Sequence, residues 1–198
     1  MVRVVIAGIV AGLAVFSAGA FNHMVLGLEG RAMKRVPDDA AFREYLSKKT
    51  LPSGLYSFPE MAEGFEKMSQ EEQQKEWDRA NEEYKRGPAG LLLIAPTGED
   101  MMGPRQLVLE ALTNIGAALI ASWIVSLAAA GTPLLLRWLI VFSMGLFAWL
   151  SVSASFAIWY RFPWPYVLDS LFGAMIEWAV AGLLVALIVR SGSAARPA

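Results

Sequence analysis

With 198 residues, 56% of them hydrophobic and only 18% charged, and a mean hydropathy of +0.44, the chain is too apolar for an ordinary soluble domain, where roughly a quarter of residues carry charge. A formal net charge of -1 excludes the basic surface that nucleic acid needs, and the lack of cysteine excludes disulfides, thiolate metal sites and thiol nucleophiles. The charges are also segregated, since all but three of the 18 acids and all but five of the 17 bases lie between Gly27 and Arg105.

The first predicted element is a helix from Val4 to Leu26, long enough at about 1.5 Å per residue to cross roughly 30 Å of hydrocarbon. Met1-Val2-Arg3, the apolar run to Phe16 and the triplet Ala18-Gly19-Ala20 also resemble a secretory signal with an A-x-A cleavage site. Because the apolar run continues through FNHMVLGL and only one base precedes it, an uncleaved anchor is the expectation. Gly8, Gly12, Gly19 and His23 recur at helical spacing and share one face, and Gly8 with Gly12 forms a G-x-x-x-G that allows close helix approach. His23, the only histidine, is therefore expected to point inward, with Asn22 beside it.

Residues 29–104 read as a small extracytoplasmic α+β cap between the first and second spans. PDDAAFREYLSKK (37–49) predicts a short helix with acids at its start and bases at its end, as the helix dipole favours. Brief strands are expected at Leu55 to Phe58 and within GLLLIAPTG (90–98). Between them, Ser69 with Glu72 predicts a capping box, Gly87 and Pro88 a helix stop, and Trp77, Ala80 and Tyr84 one narrow apolar stripe for packing.

Three more spans follow in residues 105–198, at Gln106 to Ala129, Leu134 to Tyr160 and Tyr166 to Val189. The short joints AAGTP and RFPWP make chain neighbours antiparallel, and the rings of WYRFPWPY flank Arg161 as an interfacial belt does. The fold class expected is an all-α membrane protein, a four-helix transmembrane bundle carrying the cap. A cytoplasmic N-terminus puts Arg3, Arg137, Arg190 and Arg196 inside and Arg161 outside, so both termini are expected in the cytoplasm.

The segments FNHMVLGL, GLYSFP, GPAGLLLIAPTG and GLFAWLSVSASFAIWYRFP, spread from about Phe16 to Pro163, are similar to a widespread group of small four-span bacterial inner-membrane proteins that carry no assigned activity. The resemblance implies a bacterial cytoplasmic membrane and four spans. It brings no catalytic residues.

An ionisable side chain inside lipid needs a partner or a task, because it costs at least about 2.5 kcal/mol at mid-helix. His23, Asn22, Glu110, Asn114 and Asp169 fall at one depth near the outer ends of their spans and are expected to form a polar cluster, with His23 bridging Glu110 and Asp169. Glu177 is a carboxylate at mid-membrane for which Ser17 or Ser151 is the expected partner, unless Gly173 and Gly182 mark an oligomeric seam that shields it.

No catalytic motif is present, so the first expectation is a non-catalytic structural or accessory membrane component with no cofactor. It would act through helix packing and the cap, in the lipid bilayer and with a membrane-protein partner or a second copy. The alternative is a small proton- or ion-coupled transporter using Glu177 and Asp169. Third comes a metal, haem or quinone binder centred on His23. One histidine rules out bis-histidine haem within a single chain, leaving Met101 or Met102 as the other ligand.

Overall fold

The computed structural model describes residues 1–98, 100–128 and 131–189. In chain order the elements are α1 (Val2–Met24), α2 (Asp39–Lys48), β1 (Gly54–Phe58), α3 (Gln70–Arg86), β2 (Gly90–Ile94), α4 (Pro104–Ser126), α5 (Leu134–Ala148), a π-turn at Trp149–Ser153, α6 (Ala154–Trp159) and α7 (Trp164–Ile188). Single 3-10 turns lie at Gly30–Ala32 and Phe65–Lys67. They form two compact units, Met1–Lys34 with Asp100–Ala198, and Arg35–Glu99.

Among the described residues of the first unit, four helical segments are long and apolar enough to cross a membrane: Val2–Met24, Pro104–Ser126, Leu134–Trp159 and Trp164–Ile188. The second opens at Pro104, and the fourth begins slightly earlier than expected with Pro165 in its first turn; at such a position the missing N–H costs nothing. The third is not one uniform helix, because the π-turn interrupts it. α1 packs chiefly on α4 and α7, and α7 in turn on α5.

The core of this unit is made of small side chains: Ala7, Ala11 and Val15 on α1, Ala118, Ala121 and Val125 on α4, Val141 on α5, Ala181 and Val185 on α7. Small residues let backbones approach. A Cβ added at Gly12 would sit 2.7 Å from the Ile115 amide nitrogen, and one at Gly8 would sit 2.8 Å from Leu119 Cα. The G-x-x-x-G of α1 thus lies directly on the backbone of α4. On the other side, the Trp138 indole donates to the Ala179 carbonyl at 3.0 Å, and Trp149 donates to Val167 O at 2.9 Å, tying the third segment to α7.

In the second unit β1 and β2 pair antiparallel, from Gly54 opposite Ile94 to Phe58 opposite Gly90. The Asp38 side chain caps α2, and both halves of the Ser69–Glu72 capping box are made at the start of α3. Glu76 accepts from Arg79 and from the Ala62 amide. These donors, the guanidinium above all, hold its carboxyl at about 2, well below the usual carboxylate range. Of the expected apolar stripe on α3 only Ala80 is buried, while Trp77 and Tyr84 stay 56% and 44% exposed.

Candidate functional site

The site begins with how α1 stops. After Met24 the chain turns through Gly27 in the left-handed region at φ 64°, and the Leu28 amide donates back to the Asn22 carbonyl at 3.1 Å. This return buries Leu28 against the helices and brings Glu29 and Arg31 alongside the first turns of α7.

There Arg31 meets Asp169. The guanidinium donates through Nε at 2.7 Å and through a second nitrogen to the other carboxylate oxygen, and the Glu29 amide donates to Oδ2 at 3.3 Å. The Asp169 side chain is 7% exposed, so this two-pronged pair is what allows the carboxylate to lie buried with its charge. The same bonds raise the Arg31 guanidinium pKa further above its ordinary value.

Below this pair lies a cavity of about 350 Å³ between α1, α4 and α7. All six residues expected to be polar sites line it: Asn22, His23, Glu110, Asn114, Asp169 and Glu177. Asn22 is 2% exposed, and its Nδ2 donates to Glu177 Oε1 at 2.9 Å and to the Gly173 carbonyl at 3.2 Å, joining α1 to α7. Across the cavity Asn114 Nδ2 donates to Glu110 Oε1 at 3.1 Å, one turn along α4. Gly19 gives Glu177 room, since a Cβ there would sit 3.3 Å from Oε1.

Two expected pairings are not made. The bridge from His23 to Glu110 and Asp169 does not form: Asp169 is taken by Arg31, and no hydrogen bond to the His23 side chain exists among the described residues. Asn22, one position away on α1, is the buried inward residue, whereas His23, expected to point inward, is exposed and only borders the cavity. Glu177 pairs with Asn22 rather than a serine, because Ser17 and Ser151 turn back onto the carbonyls of Leu13 and Phe147 in their own helices. Sequence reading missed Arg31 and Glu29. A glycine two to four residues ahead of both, just past a helix end, was the signal that the chain folds back there.

As for a metal, no three His, Cys, Asp or Glu side chains are grouped to hold one among the described residues. Of the two methionines considered beside His23, Met102 lines the cavity and Met101 is fully exposed. Comparison of the chain with protein-family models, with curated proteins and with solved structures returns no match.

Proposed function

We propose that the chain is a non-catalytic multi-pass protein of a bacterial inner membrane, with both termini cytoplasmic, and that the cavity among α1, α4 and α7 handles protons or small ions. The membrane assignment is supported by what the apolar helices leave uncovered. Only 11–28% of the residues in their most apolar stretches are buried, so the rest require an apolar solvent. The exposed rings of Trp159, Tyr160 and Trp164 suit a headgroup boundary.

One contrast carries the ion-handling reading. Of the acids on these helices, buried Asp169 is neutralised by Arg31, whereas Glu177, halfway along α7, faces the cavity with only an amide donor. A purely structural carboxylate at that position would gain from a cation of its own. One left facing a chamber is equipped to take and release a proton or a counter-ion.

Purified protein in proteoliposomes with an internal pH dye tests this. Glu177→Gln should abolish any wild-type proton flux, while Glu63→Gln, in the second unit, should leave it intact. Flux equal in wild type, Glu177→Gln and protein-free vesicles would overturn the reading. An accessory role is the second reading, supported by the uncovered Trp77 and Tyr84 on α3.

A further inference from the structure

The cavity holds more acceptors than donors. Glu110 and Glu177 line it with their carboxyl groups, and Glu29 borders its end beside Tyr166. The donors nearby are already engaged: Asn114 Nδ2 on Glu110, Asn22 Nδ2 on Glu177, and Arg31 on Asp169. His23 is the sole base in the lining.

Asn22 adds an independent observation. Its amide cannot turn over, because one of the two groups facing Nδ2 is the Gly173 carbonyl, which can only accept. Its Oδ1 is therefore a true acceptor, and it is buried with no hydrogen-bond partner among the described residues. Asn22 lines the cavity, and a buried acceptor without a partner on a lining residue is a vacancy for a donor that a small shift of the side chain admits. Much of the remaining wall is apolar, with Val15, Phe16, Leu28, Met102 and Leu107.

Acidic acceptors, an open amide oxygen and an apolar wall define one ligand chemistry. We propose that the cavity binds a primary ammonium carried on a small apolar body, with its N–H groups directed to Asn22 Oδ1 and the carboxylates of Glu177 and Glu110. A primary ammonium offers three donors and one charge from a single nitrogen, which a neutral alcohol or a fully substituted ammonium does not. The volume, about 350 Å³, is at the small end of ligand pockets, which suits a short-chain or single-ring amine. This inference rests on the reading of the cavity as the working site and adds the class of ion that it takes. The ammonium could be that of a free amine or of a phosphatidylethanolamine headgroup.

Calorimetry on the full chain in mild detergent tests it with pentylammonium, 1-pentanol and tetramethylammonium as probes. Pentylammonium should bind saturably and the other two at least about tenfold more weakly, because one lacks the charge and the other lacks N–H donors. Glu177→Gln and Asn22→Leu should each weaken pentylammonium by about tenfold or more. If either variant fails to fold, the three-probe comparison on wild type still decides. Pentanol binding as well as pentylammonium, or variants binding like wild type, would overturn the proposal. In nanodiscs, competition by phosphatidylethanolamine but not phosphatidylcholine assigns the headgroup as the source, and no competition assigns a free amine. Proton flux without pentylammonium binding would sink this inference alone, and binding without flux would sink the carrier reading alone.

Discussion

Asp169 keeps its charge under 7% exposure because one guanidinium reaches it through two nitrogens. Removing only the cation strands a buried carboxylate, whereas removing both charges strands nothing. Arg31→Ala should therefore lower the melting temperature in detergent more than the double change Arg31→Ala with Asp169→Asn, a rank order that a thermal scan of the four cycle members reads directly. A double variant less stable than Arg31→Ala would mean that the pair is not the principal contact of either residue. The polar residues themselves stand out in the sequence, since Asn22, His23, Glu110, Asn114, Asp169 and Glu177 interrupt stretches of lipid length. Their pairing does not. It depends on where the backbone turns after Met24, and a left-handed glycine at position 27 delivers Arg31 to the carboxylate that His23 was expected to reach.

Helix contact in this protein is governed by where glycine removes a side chain. Gly12 lies on the α4 backbone, which cannot yield as a flexible side chain can, while Gly116 on α4 has no atom within 4 Å of where a Cβ would be. Gly12→Ala should thus cost about 1–3 kcal/mol through forced separation of α1 and α4. Gly116→Ala should be neutral or stabilising by up to about 1 kcal/mol, from helix propensity alone. Equilibrium unfolding of the two variants in matched detergent checks the opposite signs. This contact was legible from the spacing of Gly8 and Gly12, as were the capping box of α3 and the two short strands. Harder to read was α3's stripe: a Trp-Ala-Tyr spacing announces an apolar face, but only burial tells whether anything lies on it, and here just Ala80 is covered.

At the scale of the whole molecule, the proposed orientation gives a labelling pattern. The chain has no cysteine, so single substitutions report without background. Glu63→Cys should react with a membrane-impermeant maleimide on intact spheroplasts, and Ser191→Cys only after lysis; the reverse pattern would invert the topology and leave the four segments untouched. Their order and approximate limits follow from hydropathy and length, which is why they are visible without coordinates. The irregularity in the third is a matter of phase. Val141 and Gly145 on α5 and Ala157 on α6 are the buried residues of that segment. In an unbroken α-helix at about 100° per residue, the interval from 145 to 157 would rotate Ala157 roughly 120° away from Gly145. The π-turn between them absorbs one residue, which reduces the offset to about 20°. Its consequence is that the segment turns a single continuous stripe toward its neighbours from one end to the other, where an undisturbed spiral of the same sequence would have swung its far end out to face the surroundings.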